Sequence, residues 1–279
     1  MLLGDLIADA GTMLEAARVD QPRREALRLW SDLVEASPVD AIMGRRAPVS
    51  GEQVAEFLSA VDRRASGEPL AYVSGKAGFR RLALVVDRHV LIPRPETEGL
   101  VELALAHAPR GIVADVCCGS GCIALSLADE GGYDRVLGVD LSPGALTVSA
   151  ENARRTSLPV ALLRGDLTAS LATASLDALV ANPPYVAAAE YAALDRSVLE
   201  WEPRMALESG SDGMDATRRL LDDGRRVVVP GGWMALELDA SRAEATASVA
   251  GAFGWQHVMI HHDLFGRERY LLAQRSEIP

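Results

Sequence analysis

Ile112-Val113-Ala114-Asp115-Val116-Cys117-Cys118-Gly119-Ser120-Gly121-Cys122-Ile123-Ala124-Leu125 reads as an apolar strand, a loop of small residues and the start of a helix. Gly119 and Gly121 let the backbone come close to a ligand and aim amide groups at it. Together with Ala124 they also satisfy the dinucleotide pattern G-x-G-x-x-A, so the loop alone does not choose between cofactors. The next strand ends in Asp140, 19 residues after Gly121, where a carboxylate can accept hydrogen bonds from ribose hydroxyls.

Outward from this loop, apolar strands alternate with helical stretches at 112–117, 136–140, 160–163, 178–181, 233–238, 257–261 and 270–273. The pattern predicts a doubly wound, Rossmann-like α/β domain with its ligands at the carboxyl ends of the strands. Two features favour S-adenosylmethionine over a nicotinamide. The Asp115 carboxylate suits the cationic amino-acid portion of that cofactor, and Gly165-Asp166-Leu167 after the third strand supplies an acid for the adenine amine and an apolar cover for the ring. One such Asp is more often a helix cap, but three at successive strand ends point to a ligand.

After the fourth strand comes Asn182-Pro183-Pro184-Tyr185. Two prolines restrict the backbone, so that the Asn182 side-chain oxygen and the Pro183 carbonyl can point at one place. A planar NH₂ group donates two in-plane hydrogens; accepting both fixes the nitrogen and turns its weak lone pair toward a methyl sulfonium. Tyr185 offers an aromatic face for a flat substrate. The chemistry expected is in-line methyl transfer to an amide or amine nitrogen, with no metal and no covalent enzyme intermediate. Standing alone, the tetrapeptide would pass for a proline-rich turn.

The first 65 or so residues read as short helices. Val54, Phe57, Leu58 and Val61 form one helical face behind a capping box of Ser50 and Gln53; Leu2, Leu3, Leu6 and Ile7, then Ala26, Leu27, Trp30, Leu33 and Val34, repeat it. From Tyr72 to Ile92 the texture changes to alternation with Gly75, Gly78 and Asp87 as turn candidates, which predicts a β-hairpin. The expected organisation is a helical domain over 1–70, a hairpin linker over 71–98 and a cofactor domain over 99–279.

The chain has 279 residues, is 49% hydrophobic and carries a net charge of −11. The size suits a catalytic domain plus a small one, and the acidic balance argues against a surface that wraps nucleic acid. No stretch approaches the roughly 18 uninterrupted apolar residues of a membrane span, and Met1-Leu2-Leu3-Gly4-Asp5 lacks the build of a signal peptide, so a cytoplasmic location away from membranes is expected. Cys117, Cys118 and Cys122 do not match zinc spacing and read as a packed loop in a reducing compartment. His261 and His262 beside Asp263, a tempting metal set, read as a solvent-facing pair at the end of a strand.

Four further stretches carry a resemblance: Gly67-Glu68-Pro69-Leu70-Ala71-Tyr72-Val73-Ser74-Gly75, Leu91-Ile92-Pro93-Arg94-Pro95-Glu96-Thr97-Glu98, Glu202-Pro203-Arg204-Met205-Ala206-Leu207 and Gly210-Ser211-Asp212-Gly213-Met214-Asp215. With the Asn182 tetrapeptide, the chain over nearly its whole length resembles the HemK/PrmC family, bacterial protein-glutamine methyltransferases that modify the Gly-Gly-Gln glutamine of peptide-chain release factors. The resemblance implies an N-terminal helical domain that docks the release factor, a hairpin and a seven-stranded class I methyltransferase domain. It implies S-adenosylmethionine as cofactor, S-adenosylhomocysteine as product, a class I release factor as partner, and a monomer.

It further implies that Asp115, Cys117, Cys118, Gly119, Ser120, Gly121, Asp140, Asp166, Leu167 and Asn182 hold the cofactor. Asn182, Pro183, Pro184 and Tyr185 would hold the substrate with Arg94 and Glu96 at the mouth, and Asn182, Pro183 and Tyr185 would carry catalysis. Two departures stand out. Cys117 and Cys118 replace the family's usual Gly or Thr, which asks Cys117 for a conformation Gly takes more cheaply. Glu237-Leu238-Asp239-Ala240-Ser241-Arg242 departs from the family's usual continuation, so no role transfers there. The same chemistry on a ribosomal-protein glutamine, a small molecule or a flipped-out adenine amine is the alternative; no hydride-site His or Tyr constellation in the sequence supports a nicotinamide dehydrogenase.

Overall fold

The computed structural model describes residues 1–277; the last two residues of the expected 99–279 domain lie outside the described residues. The chain divides into two compact units, Met1–Lys76 and the remainder from Ala77.

The first unit is helical: α1 (Leu3–Ala16), α2 (Pro22–Leu33), α3 (Pro38–Met43), α4 (Gly51–Ala65) and α5 (Leu70–Ser74). The expected capping box forms, with Ser50 Oγ accepting from Gln53 N and Gln53 Oε1 accepting from Ser50 N, both at 3.2 Å. Ser37 and Asp40 make a second one at the start of α3. Leu6, Leu14, Leu29, Phe57 and Val61 form a closed core, in which Trp30 meets Phe57 edge-on at 5.4 Å. Arg64 ties α4 to α2 by donating to Glu25 at 2.6 Å. The alternation read from Tyr72 starts later than expected. Tyr72 and Val73 are buried residues of α5, which ends on Gly75 at φ +70, because Pro69 opens a helical turn there.

The second unit begins with a hairpin of β1 (Lys76–Phe79) and β2 (Leu82–Val85) and continues through α6 (Glu98–His107), β3 (Ile112–Val116), α7 (Cys122–Glu130), β4 (Arg135–Asp140) and α8 (Pro143–Thr156). Then follow β5 (Val160–Arg164), β6 (Leu176–Ala181), the short α9 (Ala188–Tyr191) and α10 (Arg196–Trp201), α11 (Asp215–Val227), β7 (Val228–Glu237), α12 (Ala243–Ala252), β8 (Trp255–His262) and β9 (Glu268–Arg275). Phe79 and Leu84 of the hairpin pack with Leu100 of α6 and Ile123 of α7. Asn152 of α8, 1% exposed, fastens the hairpin: its Oδ1 accepts from Val85 N at 2.6 Å, and its Nδ2 donates to the carbonyls of Val85 and Ser120, each at 2.9 Å.

Seven strands form one sheet in the order β5-β4-β3-β6-β7-β9-β8. The pairs from β5 to β7 are parallel, whereas β9 runs antiparallel to β7 and to β8. Each face has its own core. Ala114, Val116, Leu179 and Leu236 lie with Leu220 of α11 on one side, and Val113, Val180 and Ala235 lie with Leu100 and Ile123 on the other. The chain leaves β3 for β4 and β5, then returns to the opposite side of β3 for β6, so a crevice opens where β3 and β6 end. No helix among the described residues is long and apolar enough to cross a membrane. His262 is exposed as expected, but His261 is half-buried, its ring 6.2 Å from that of His107.

Candidate active site

Strand register assembles the site. Val116 pairs with both Val139 and Ala181, and Ala181 pairs with Leu236. One residue further along each strand, Cys117, Asp140, Asn182 and Glu237 therefore arrive at the same level, three of them chemically distinctive polar groups. A cavity of about 490 Å³ opens over these strand ends.

The loop after β3 is built by backbone. Cys117 N and Cys118 N both donate to Val139 O, at 2.9 and 3.0 Å, and Gly119 N donates to Asp140 Oδ2 at 2.9 Å. The other carboxylate oxygen of Asp140 accepts from Ser142 N at 2.8 Å, so one side chain ties together the loops that follow β3 and β4. Gly119 (φ +55) has open space where a Cβ would stand, whereas a Cβ on Gly121 (φ +81) would run into Ser149 Oγ. Cys117 stands at φ +67, the left-handed conformation anticipated from the sequence, and packs partly against the core. Burial pushes all three loop thiols up, Cys122 to about 12, which favours the protonated form.

That backbone makes an asymmetric prediction. Cys117→Gly will be tolerated within about 1 kcal/mol, since relief of the left-handed conformation offsets the lost packing, while Cys117→Val will cost about 2 kcal/mol. Urea unfolding of the two variants compares them directly.

Arg94, Cys117, Cys118, Gly119, Ser120, Asp140, Asp166, Leu167, Asn182 and Pro184, all expected at the site, line the cavity. Asp166 is held by Arg219, whose Nη2 donates to it at 2.8 Å. Five others are not part of that lining. Asp115 points to the opposite face of the sheet from Val116, where it is fully buried and its Oδ2 accepts from Ala124 N in the first turn of α7 at 3.0 Å. Its Oδ1 has no partner, and burial pushes the carboxyl up to about 7. Gly121 is the N-cap of α7 and Pro183 is buried. Tyr185 directs its hydroxyl at Glu237 Oε1, 3.5 Å away, and Glu96 offers its backbone carbonyl to Tyr270 Oη.

Three residues given no role by sequence reasoning hold the site together. Asn182 Nδ2 donates to Thr97 Oγ1 at 3.1 Å, which leaves Oδ1 as the end of the carboxamide for a ligand. Glu237, 1% exposed, lies behind them and is pushed up to about 7 by burial. Glu202, also buried, accepts from Arg94 Nη2 at 2.5 Å and from Ile92 N at 3.4 Å, which clamps the 92–94 segment. Thr97 and Glu202 belong to stretches whose wording was distinctive, but their contacts span 85 and 108 residues. Glu202→Ala is expected to cost about 2 kcal/mol in urea unfolding, the scale of a hydrogen bond to a charged group. It should also weaken use of a substrate at the mouth more than binding of cofactor.

The glycine loop and Asp140 suit either of two cofactor classes. Asn182 separates them, because a carboxamide oxygen presented beside the loop has work to do in holding a nitrogen for methylation and none in hydride transfer. The protein is a methyltransferase.

Known proteins agree. Residues 5–75 match the PrmC N-terminal domain and residues 97–211 the methyltransferase small domain. A release factor glutamine methyltransferase of Moorella thermoacetica is 40% identical over 99% of this chain and 100% of its own length, and one of Nitratidesulfovibrio vulgaris is 36% identical over 98% and 95%. The crystal structure of a methyltransferase from Pyrococcus furiosus superposes with a TM-score of 0.51 at 15% identity, covering 81% of this chain and 100% of that one, a likeness of fold alone. The chain belongs to the release factor glutamine methyltransferase family.

Proposed function

We propose that this protein methylates the side-chain amide nitrogen of the glutamine in the Gly-Gly-Gln motif of class I peptide-chain release factors, using S-adenosylmethionine. The observation that carries the reading is the bond from Asn182 Nδ2 to Thr97 Oγ1, which reserves the Asn182 oxygen for a donor in the cavity. A glutamine carboxamide offers two coplanar N–H groups. Asn182 Oδ1 and the Pro183 carbonyl would each accept one, leaving the nitrogen lone pair out of the plane of those bonds.

The residues present fit the cofactor. Asp140 would accept from ribose hydroxyls, Asp166 and Leu167 would receive the adenine, and the open space at Gly119 admits a ligand close to the backbone. When bound, the cofactor supplies an electrophilic methyl group. The amide is a weak nucleophile, so Asn182 and Pro183 contribute by orientation, and the nitrogen gives up one proton as its N–C bond forms. Tyr185, its hydroxyl directed at Glu237, would present its ring to the flat amide.

The chemistry requires neither a metal nor a covalent intermediate. The helical unit would dock the release factor while the second unit acts as a monomeric catalyst, in the cytoplasm where termination takes place. Incubating the purified protein with S-adenosylmethionine and a bacterial class I release factor, then mapping the Gly-Gly-Gln peptide by mass spectrometry, tests the reading. One added methyl group on that glutamine supports it. An unmodified peptide, from protein shown to bind S-adenosylhomocysteine, would overturn the choice of substrate.

A further inference from the structure

Arg242 stands at the head of α12, in the stretch after β7 to which no role transferred from the family. Its side chain, 14% exposed, fastens three separate pieces of chain. Nε donates to the carbonyl of Asp212 at 2.6 Å, Nη2 donates to Glu190 Oε2 at 2.6 Å, and Nη1 lies 3.2 Å from Asp239 Oδ1. The rigid fork of a guanidinium, with five donors in one plane, makes this possible for a single side chain.

Two of the three pieces are the chain that leaves the Asn182 tetrapeptide and the chain that returns beside it. They pair at once: Val186 N donates to Leu207 O at 2.8 Å, Ser209 N to Val186 O at 2.9 Å and Ala188 N to Gly210 O at 2.9 Å. On the leaving side, Glu190 Oε2, the oxygen that Arg242 holds, also accepts from Ala187 N at 3.1 Å. On the returning side, Asp212 Oδ1 accepts from Met214 N at 3.1 Å and from Arg218 Nη1 at 3.0 Å, which fixes the turn whose carbonyl Arg242 takes. Gly213 lies between them at φ +78, where a Cβ would run into both Tyr185 O and the Arg242 guanidinium, so only glycine lets the two close on each other. The third piece belongs to the sheet: Asp239 Oδ1 accepts from Ser241 N at 2.9 Å, and Leu238 N donates to Arg269 O of β9 at 2.9 Å.

We propose that Arg242 is a positioning residue for the tetrapeptide: it buckles the chain leaving Tyr185 and the paired 207–212 run to the end of β7, and so holds the Pro183 carbonyl and the Tyr185 ring in register with Asn182. Neither Arg242 nor Glu190 lines the cavity, whereas Glu208, Ser209 and Gly210 of the paired run do. Arg242 therefore acts on aim and not by contact with a ligand. A loosened tetrapeptide still admits a substrate but holds its amide less often in the reacting geometry, a loss that falls on kcat. This rests on the reading of the tetrapeptide as the holder of the substrate amide.

The test has two arms. In the first, Arg242→Ala should lower kcat for a release factor about 20-fold while KM stays within about three-fold and S-adenosylhomocysteine affinity within about two-fold, because the cofactor loop is tied by Val139 O and Asp140. Glu190→Ala removes one of the three attachments and should lower kcat about five-fold; the double variant should be no slower than Arg242→Ala by more than about two-fold, since the two side chains act as one unit. The second arm needs no substrate. Amide hydrogen exchange over 186–190 and 207–213 should quicken about 10-fold in Arg242→Ala, with peptides from β3 and β4 unchanged.

The proposal is overturned if Arg242→Ala keeps kcat within about three-fold, if cofactor affinity falls as far as kcat, if the two single effects multiply in the double variant, or if exchange over 186–190 and 207–213 matches the parent. An Asn182→Ala control separates the two levels. Full loss of methylation there beside an active Arg242→Ala sinks only the role of Arg242, while methylation by Asn182→Ala sinks the reading beneath it.

Discussion

Asn182→Ala will bind S-adenosylhomocysteine as the parent does and transfer methyl groups at least about 1,000-fold more slowly, the scale seen when one preorganised hydrogen-bonding group is removed from a reaction centre. The cofactor loop owes its shape to hydrogen bonds with Val139 O and Asp140, whereas the Asn182 side chain is bonded to Thr97, so truncating it leaves those loop bonds in place. What disappears is the only side-chain oxygen in the tetrapeptide aimed by a bond on its other end. A carboxamide substrate would still enter, held by the Pro183 carbonyl alone and free to turn about that one contact. Titration calorimetry with S-adenosylhomocysteine, read beside a methylation assay on a release factor, checks both halves. Loss of cofactor affinity in a folded variant would refute the assignment of Asn182 to the substrate side.

Asp140→Ala has the opposite signature. Its two oxygens satisfy Gly119 N and Ser142 N, and the substitution leaves both amides without acceptors while removing the charged acceptor proposed for ribose hydroxyls. Affinity for S-adenosylhomocysteine should fall at least about 100-fold, close to 3 kcal/mol, and stability by about 2 kcal/mol. Asp140→Asn keeps an acceptor for one amide and should recover part of the stability but less of the affinity. If the affinity of Asp140→Ala stays within about three-fold of the parent, Asp140 serves the loop alone.

Much of this was legible in one dimension, and particular residues show why. The helical faces around Phe57 and Val61 declare themselves by period, and the strands through Ala114, Val139 and Val180 by short continuous apolar runs, because a helix buries one face and a central parallel strand buries both. The left-handed turn at Cys117 was legible because it occupies a place in the loop that glycine suits. Asp115 is the instructive difference. Its position in the cofactor strand marked it as a ligand residue, but alternation sends every second side chain to the other face, and Asp115 shares its face with Val113 beneath α7 rather than with the cavity. Tyr185 likewise directs its hydroxyl inward to Glu237.

By itself, then, the sequence determined the strand-and-helix rhythm, the backbone of the glycine loop, the acid at the end of β4 and the tetrapeptide at the end of β6, since each is written in neighbouring residues. Only the tertiary structure decided what surrounds them. Thr97 reaches Asn182 across 85 positions and Glu202 reaches Arg94 across 108, while Glu237 meets Tyr185 across 52. No local periodicity records such pairings. The strand order places β6 between β3 and β7, and the register of parallel strands brings Cys117, Asn182 and Glu237 to one level at the strand ends.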